Sequence, residues 1–376
     1  MPAANLDEYV LRLREGDDVG VLKKTVKAGT QLENGSLKIT AAETIPAGHK
    51  ISLQTIADGD PVRKYGQIIG FAEGSIEQGD HVHTHNLVCR DYDREHAFCA
   101  DYKTTIYYPD AEKRIFMGFA RPGGRAATRN YIAVISNVNC SNSVSRYVAE
   151  RFCGEDFRRQ YPNVDGVIAL KTQGGCGVEP GGPMQLIRRT LGNMARHPNI
   201  SGYVMIGLGC EDNQIIGIRE DYDLDNLQEG EIQPEFMTIQ GSGGSLKTIE
   251  AAVKAVENIL PKVTGICRTE QPLSKLILAE NCGGSDGNSG CTANPALGVA
   301  SDELVKHGGT SVLAETTEIY GAEHLLTNRA ATTEVAEKLM RQIHWWEDYA
   351  RRHDSTINNN PSVGNKEGGL TTIYEK

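Results

Sequence analysis

The most constraining feature of this 376-residue sequence is a glycine-rich stretch that follows a short apolar run. Residues 281–290 read Asn-Cys-Gly-Gly-Ser-Asp-Gly-Asn-Ser-Gly, with four glycines, a thiol, a carboxylate and two hydroxyls. The preceding run, Leu276 to Ala279, is typical of a buried strand in a parallel sheet. Asn294 and Pro295 then predict the start of a helix. Because ligands of open α/β sheets bind beyond the carboxyl ends of strands, we expect this turn to carry chemistry.

From residue 131 onward, short apolar runs alternate with amphipathic segments. The predicted strands cover residues 131–138, 165–170, 203–208, 235–239, 276–279 and 311–314. The predicted helices cover residues 143–152, 183–196, 245–260, 295–306 and 332–352, with Ser245 as the cap of the third. Residues 354–369, rich in Asn, Gly and Pro, are expected to form a loop. The alternation predicts an α/β domain with a mostly parallel sheet and helices on both faces.

The N-terminal part of the chain follows a different pattern. Residues 1–89 contain short runs rich in Val, Ile and Thr, separated by turns such as Ala28-Gly29, Ala47-Gly48 and Asp58-Gly59, which predicts a small all-β domain. Its predicted strands fall within residues 18–26, 36–40, 50–53 and 67–72. Residues 90–124 are charged and rich in tyrosine, and we expect a linker or surface strap there. The α/β domain then occupies residues 125–376.

Composition excludes several classes of function. With 49 acidic against 39 basic residues and a net charge of -10, the chain lacks the basic character of a nucleic-acid-binding protein. No run reaches the ~20 apolar residues that cross a bilayer, and residues 1–7 contain no apolar signal segment, so we expect no membrane partner and a cytoplasmic location. In that compartment the nine cysteines are expected to be free thiols, buried side chains or metal ligands.

Four cysteines stand just after predicted strands, beside glycine or asparagine: Cys140, Cys176, Cys210 and Cys282. Neighbouring strands lie about 4.8 Å apart, so these thiols could meet at one edge of the sheet. Thiolates select zinc, iron or iron–sulfur clusters. The lack of a C-x-x-C pair argues against a zinc ribbon and a ferredoxin-like cluster. A shared metal or cluster site is our prediction, and inert buried thiols are the alternative.

Three histidines, His81, His83 and His85, alternate at the end of the small β domain. On an extended strand, all three side chains would point to one face. This spacing suits a metal site, and it also suits a histidine-rich edge that faces solvent or the neighbouring domain.

Ser285 lies in a match to the G-x-S-x-G nucleophile elbow. An elbow serine needs a strand directly before it and a helix directly after it, whereas the predicted helix begins only near Asn294. We therefore expect Ser285 and Asp286 to contact a substrate or metal instead.

Cationic side chains occur in two places. Arg121, Arg125 and Arg129 precede the first strand of the α/β domain, and Lys366 lies in the final loop. Such residues are usually solvated, but they could also bind the carboxylates of an anionic substrate.

Several of these motifs together resemble the altronate and galactarate dehydratase family along essentially the whole chain. The matching segments are residues 81–86, 207–211, 282–287, 292–295, 321–324 and 360–366. The resemblance implies that the β domain is an SAF (β-clip) domain. It also implies a hydro-lyase of sugar-acid catabolism that converts a hydroxy acid to its 2-keto-3-deoxy product with iron or manganese. The histidine series and residues 321–324 are more similar to the altronate branch. Family members continue past Lys376, so we expect this chain to be a C-terminally truncated form. Either it exposes an apolar edge and self-associates as a homo-oligomer, or it is the core that is left of a longer polypeptide.

Combining motifs and resemblance gives a set of expected roles. Iron (Fe²⁺) is expected at Cys140, Cys176, Cys210, Cys282 and His81, with manganese or an iron–sulfur cluster as alternatives. The base is expected to be Glu211, His83 or His85. Contacts to a small sugar-acid substrate are expected from Arg129, Asn130, Ser285, Asp286 and Lys366. Alternatives to an altronate dehydratase are a galactarate dehydratase, a sulfolactate-type sulfo-lyase and a non-catalytic sugar-acid-binding fragment.

Overall fold

A computed structural model describes residues 3–92, 94 and 97–376. The chain divides into two compact units. Unit 1 comprises Met1–Tyr107, Ile277–Lys306 and Thr310–Lys376, and unit 2 comprises Tyr108–Leu276 and His307–Gly309. In sequence, unit 2 is therefore an insertion into unit 1.

The N-terminal part of unit 1 is built from short strands, as its sequence predicts. They are β1 (Ala4–Asn5), β2 (Val10–Leu11), β3 (Val19–Leu22), β4 (Gln31–Asn34), β5 (Leu37–Thr40), β6 (Lys50–Ser52), β7 (Pro61–Lys64), β8 (Gln67–Ala72), β9 (His81–Val82) and β10 (Leu87–Val88), with the short helix α1 (Leu6–Tyr9). They form three small sheets with the orders β1-β4-β5, β10-β8-β7 and β2-β3-β6-β9. Buried aliphatic side chains such as Leu22, Ile45 and Ile51 fill the core between them.

Glycine is required at the turns of this domain. At Gly79 the backbone has a φ of 97°, and an added Cβ would lie 2.0 Å from the carbonyl oxygen of Thr40. Gly48 has a φ of 84°, a region that side-chain-bearing residues rarely adopt. These positions let short strands reverse direction within a few residues.

Unit 2 contains the alternation that the sequence predicts from residue 131. Its elements are β11 (Ile115–Ala120), β12 (Ala126–Ala127), β13 (Tyr131–Ser136), α2 (Asn142–Glu150), α3 (Gly154–Gln160), β14 (Gly166–Leu170), α4 (Gly182–Ala195), β15 (Ile200–Gly207), α5 (Ile215–Asp221), β16 (Glu235–Thr238), α6 (Ser245–Thr264) and β17 (Arg268–Pro272). Four of the strands form a parallel sheet in the order β14-β13-β15-β16. Helices α2 and α6 pack on one hydrophobic cluster and α4 and α5 on another, so the predicted helices on both faces are confirmed.

The chain returns to unit 1 with β18 (Ile277–Glu280), α7 (Gly287–Cys291), α8 (Ala293–Lys306), β19 (Thr310–Leu313), α9 (His324–Thr327), α10 (Thr333–Arg352) and α11 (Val363–Glu367). Strands β18 and β19 pair in parallel as a separate two-stranded sheet. The expectation of one sheet is therefore wrong. After α6 the chain enters β17, which pairs antiparallel with β11, and β18 begins a new sheet.

Three local predictions need correction. Residues 115–120, placed in the linker, form β11; the Asp93 and Glu95 part of that linker lies outside the described residues. Residues 287–291, expected as loop, form α7 because Asp286 caps this helix in a reciprocal pair with Ser289. Residues 363–367, also expected as loop, form α11, capped in the same way by Ser362 and Asn365.

Two cap predictions also change. Asn294 lies inside α8, which begins at Ala293, and Ser245 is the first residue of α6, with Gly244 as its cap. Among the described residues, no helix combines the length and the apolar character that crossing a membrane requires.

Candidate functional site

A cluster of histidines lies where β6 and β9 pair in unit 1. His49 directly precedes β6, and the antiparallel register Ile51↔His81 brings it beside His81. His49 Nδ1 lies 3.0 Å from His81 Nε2, and the His81 and His83 rings stack with centroids 5.2 Å apart. One ligand nitrogen from each of the three rings lies within 4.8 Å of the other two. Among residues 3–92, 94 and 97–376, this is the only group of three or more His, Cys, Asp or Glu side chains that is this close.

The cluster differs from the sequence expectation in two ways. His49, a lone histidine between Gly48 and Lys50, was missed because only strand pairing brings it to the other two. The extended strand expected through His85 ends at Val82, and residues 84–86 form a turn in which Asn86 N donates to His83 O. The His85 ring still lies 5.6 Å from the His81 ring, although His85 is outside the three-nitrogen group.

The environment of the cluster favours the neutral forms of His81 and His83. Burial, followed by neighbouring His49, lowers the pKa of His81 to about 3, and burial, followed by Lys50, lowers the pKa of His83 to about 4. Within the described chain, His83 Nδ1 is buried without a hydrogen-bond partner. Neutral imidazoles with a free buried nitrogen fit a divalent transition metal.

Three glycines bring three distant segments of unit 1 together beside His49. A Cβ built on Gly287 would lie 2.0 Å from the carbonyl oxygen of Gly48, and one on Gly369 would lie 2.4 Å from the same oxygen. The Gly287 amide donates to Gly368 O at 2.9 Å. Three segments are therefore in direct backbone contact: the glycine-rich turn, the loop before β6 and the segment after α11.

This junction predicts a specific effect of substitution. Gly287→Ala should destabilise the protein by about 1–3 kcal/mol and lower turnover, because the new methyl group displaces the turn from Gly48. Gly283→Ala is the matched control, since its Cβ would meet no atom within 4 Å. Urea unfolding and steady-state kinetics of both variants measure the difference. Equal behaviour of the two variants would contradict the close contact.

The glycine-rich turn frames a cavity of about 130 Å³ lined by Tyr65, Cys282, Ser285, Asp286, Ser289, Gly290, Asn294, Leu370, Glu375 and Lys376. Ser285 has a φ of 51° and its Oγ donates to Cys282 O at 3.4 Å. Within the described part of the chain, Ser285 has no histidine partner, as a hydrolase elbow would require. Asn365 Nδ2 donates to Gly284 O at 3.3 Å, so α11, which carries half-buried Lys366, packs against the turn.

A buried ionic group supports the junction. The Glu375 carboxylate accepts hydrogen bonds from Lys50 Nζ at 2.8 Å and Lys64 Nζ at 2.7 Å, and the three side chains are at most 1% exposed. Lys50 Nζ also donates to Gly369 O at 2.6 Å. Burial opposes ionisation of Glu375, but the two ammonium groups lower its pKa to about 2.

The other predicted thiols lie in unit 2, after the carboxyl ends of three neighbouring strands. Cys140, Cys176 and Cys210 are exposed and follow β13, β14 and β15. Their loops touch, because Asn139 N donates to Gly174 O and Asp212 N to Cys176 O, both at 2.8 Å. The three sulfur atoms do not form a group within 4.8 Å of one another. Cys282 follows β18, which belongs to the separate sheet of unit 1, so the four thiols do not share one sheet edge.

Glu211 organises the loop after β15. Its carboxylate accepts hydrogen bonds from Asn137 Nδ2 at 2.8 Å and from the amides of Leu208 and Gly209 at 3.1 and 2.5 Å, and the residue is buried. Both carboxylate oxygens thus already accept hydrogen bonds from the protein. Its role as a base stays a prediction.

Arg129 and Asn130 precede β13, at the opposite edge of the sheet from the thiol loops. Arg129 pairs with Asp165 at 3.1 Å, and the fully buried Asn130 amide donates to Asn163 O and Val263 O. Within unit 2, the structure therefore does not bring them to the thiols with which the sequence grouped them.

Comparison with known proteins places these features in a family. Three family models match: "Altronate/galactarate dehydratase SAF domain" over residues 8–90, "D-galactarate dehydratase/Altronate hydrolase, second domain" over 118–264, and "D-galactarate/Altronate dehydratase, C-terminal" over 273–376. An altronate dehydratase of Bacillus subtilis (strain 168) is 35% identical over 367 residues, which are 97% of this chain and 71% of the relative. The chain belongs to the altronate/galactarate dehydratase family.

Two further relatives support the same assignment. An altronate dehydratase of Escherichia coli (strain K12) is 34% identical over 376 residues, covering 97% of this chain and 72% of the relative. A galactarate dehydratase (L-threo-forming) of the same organism is 33% identical over 375 residues, covering 98% and 71%. The resemblance inferred from the motifs is confirmed, as is the SAF domain at the N-terminus.

The three family segments map directly onto the two units. The SAF segment covers the histidine cluster, and the C-terminal segment covers the glycine-rich turn and Glu375, so both features lie in unit 1. The second-domain segment covers the four-stranded sheet of unit 2. In this member of the altronate/galactarate dehydratase family, the junction in unit 1 therefore joins the first and the last of the three family segments.

Proposed function

We propose that the protein is a metal-dependent hydro-lyase that removes water from a sugar acid of the altronate type and forms the 2-keto-3-deoxy acid. The family membership supports the reaction class. The observation that supports the site is that the cluster of His49, His81 and His83 lies beside the contact between Gly48 and Gly287 of the glycine-rich turn.

His49, His81 and His83 would hold the metal, for which we propose Fe²⁺ with Mn²⁺ as the alternative. Imidazole nitrogen is a suitable ligand for iron and for other first-row divalent metals. When bound, such an ion supplies Lewis-acid stabilisation of developing negative charge on the substrate. The site predicted from the sequence joined Cys140, Cys176 and Cys210 with Cys282 and His81, whereas we propose a thiolate site of the first three alone as a separate site in unit 2.

The reaction assigns roles to the remaining groups. A base takes the proton from the carbon beside the carboxylate, the hydroxyl on the next carbon leaves with a proton as water, and the enol becomes the keto acid. We propose exposed His85 as the base, since His81 and His83 are used in the metal group. Ser285 and Asp286, which line the cavity, would bind substrate hydroxyls, and Lys366 would bind its carboxylate.

An anaerobic assay with Fe²⁺ or Mn²⁺ tests the proposal. We expect 2-keto-3-deoxy acid from altronate at a higher kcat/KM than from galactarate, and no sulfite from (2R)-sulfolactate. Sulfite release would instead identify a sulfo-lyase. Saturable altronate binding without product would identify a sugar-acid-binding protein and overturn the enzymatic assignment.

A charge-removing substitution tests the cavity. Asp286→Asn should reduce kcat/KM by about tenfold, because a hydrogen bond to a charged group contributes more than one to a neutral group. The amide can still accept from Ser289 N, a bond of 2.7 Å, so the α7 cap should survive. Asp302→Asn, at an exposed position of α8, is the control. Unchanged kinetics for Asp286→Asn would remove Asp286 from the site.

For assembly and location, we propose a cytoplasmic homo-oligomer. Apolar side chains of the two-stranded sheet are exposed, namely Ile277 at 67%, Val312 at 44% and Leu313 at 53%, which supports burial against another subunit. Light scattering that gives a monomer mass at micromolar concentration would contradict the oligomer.

A further inference from the structure

A second cavity, of about 340 Å³, lies at the edge of unit 2 where the parallel strands begin. Its wall includes Ile200 and Ser201 at the start of β15 and Arg121, just after β11. Its volume falls within the about 300–1,000 Å³ that small-molecule sites usually enclose. None of its lining residues belongs to the site proposed in unit 1.

Arg121 is an uncompensated charge in this wall. The residue is only 9% exposed. Its guanidinium donates from Nε to Pro198 O at 2.7 Å, and from Nη2 to Arg129 O at 3.1 Å and Asn130 Oδ1 at 2.9 Å. The third nitrogen, Nη1, is buried and has no hydrogen-bond partner among the described residues. Within the same residues, no carboxylate lies within 4.0 Å of this guanidinium. Buried arginines are normally paired, so the missing counter-charge indicates an anion that binds here.

Two more arginines line the same cavity. Arg125 donates from Nη1 to Arg196 O at 2.7 Å, and its Nη2 forms a long ion pair of 3.9 Å with Oε1 of Glu231, which also lines the cavity. Arg196 donates to Asp223 O, a neutral carbonyl. Burial and the adjacent Arg125 lower the pKa of Arg121 to about 10, so that group remains charged at neutral pH.

Apolar side chains form much of the rest of the wall, which also includes Glu229, Glu231, His197, Ser201 and Tyr203. Pro122, Leu224, Leu227, Ile232 and Ile266 contribute side chains that cannot hydrogen-bond a ligand. Against the apolar part of the wall, a polyhydroxy sugar acid would lose the hydration of its hydroxyl groups. An apolar body that carries one anionic group suits both parts of the wall.

We propose that this cavity is a binding site for a small organic anion, with its carboxylate or phosphate group at Arg121 and Arg125 and its apolar body against Leu224, Leu227 and Ile232. The three hydrogen bonds of Arg121 from Nε and Nη2 hold the guanidinium in place and leave Nη1 to donate to an oxyanion.

Calorimetric titration of the full chain tests the site with four probes: benzoate, phenyl phosphate, inorganic phosphate and neutral benzamide. We expect saturable binding of benzoate or phenyl phosphate, and at least about tenfold weaker binding of benzamide, because it lacks the charged group. Whichever of the two anions binds more tightly shows whether the site prefers a carboxylate or a phosphate group. Inorganic phosphate that binds as tightly as phenyl phosphate would overturn the role of the apolar wall.

Variants locate the binding. Arg121→Gln should weaken binding by about tenfold or more, and Arg125→Gln should weaken it in the same direction. Arg159→Gln is the control, since Arg159 is exposed in unit 2 and pairs only with exposed Asp156 among the described residues. If Arg121→Gln does not fold, Arg125→Gln alone decides. No saturable binding at millimolar probe, or equal binding by Arg125→Gln and Arg159→Gln, would overturn the proposal.

Discussion

Replacing Glu375 with Gln is expected to lower the free energy of unfolding by about 3–5 kcal/mol, because it leaves the ammonium groups of Lys50 and Lys64 buried without a counter-charge. In the native protein each lysine donates directly to this carboxylate. The glutamine amide offers one neutral oxygen where two charged ones stood. Chemical denaturation monitored by circular dichroism measures the change.

The control for Glu375→Gln is Glu367→Gln, the same chemical change at an exposed position of the same segment. It should change stability by less than about 0.5 kcal/mol. A loss of under about 1 kcal/mol for Glu375→Gln would mean that the buried lysines do not depend on this carboxylate.

The same group predicts an acid-dependent loss of stability. Burial raises the pKa of the Glu375 carboxyl, but the two lysines lower it more strongly, from the ordinary 4.5 to about 2. Because the folded state holds its proton less tightly than the unfolded state, the stabilisation is complete above pH 4.5 and is lost as the pH falls towards 2. Glu375→Gln should lack this part of the pH dependence. If the free energy of unfolding changes with pH in the same way for both proteins between pH 4.5 and 2, the prediction is contradicted.

Replacing His49 with Ala is expected to weaken the binding of Fe²⁺ or Mn²⁺ by more than about 100-fold. Losing a residue that only supports a metal ligand lowers metal affinity by about 10- to 100-fold, and His49 would be a direct ligand. Activity with altronate should fall in parallel and should not recover at saturating substrate. Bound metal after dialysis, measured by mass spectrometry, gives a readout that is independent of turnover.

His344→Ala, at an exposed position of α10, is the matched control and should retain both metal and activity. The His85→Ala variant separates two roles. It should keep the metal and lose turnover if His85 is the base, whereas loss of metal would place it among the ligands. Full metal content in His49→Ala, His81→Ala and His83→Ala together would refute the histidine site.

The sequence predicted those parts of the fold that depend on local periodicity. Strands β13 to β16 and helices α2, α4 and α6 have apolar residues at the spacing of their own geometry, so they could be placed within a few residues. The short helices α3 and α5 were not predicted. The separate sheet of β18 and β19 could not be predicted from the sequence. It follows from the pairing of β17 with β11, which are about 150 residues apart, and no local pattern in either strand indicates that they pair.

The candidate site divides in the same way. Alternate spacing indicated His81 and His83, and the glycines indicated the turn around Ser285. His49 has no such pattern, and its role depends on the register between β6 and β9. Lys50, Lys64 and Glu375 were missed for another reason. Charged residues are usually exposed, and only the folded structure shows that these three form a buried ionic group.

The position of Glu375 also has a consequence for the order of events during synthesis. Its partners Lys50 and Lys64 precede it by 325 and 311 residues, and the segment from Leu370 to Glu375 is buried. Unit 2 emerges from the ribosome long before that segment and can fold first. At that stage Lys50 and Lys64 of the N-terminal β domain still lack the carboxylate that neutralises them. We therefore expect the histidine cluster to become competent for metal only after residue 375 is released. Ribosome-bound chains halted before this point should show a protease-resistant unit 2 beside a protease-sensitive N-terminal domain, and equal resistance of both would argue against this sequence of folding.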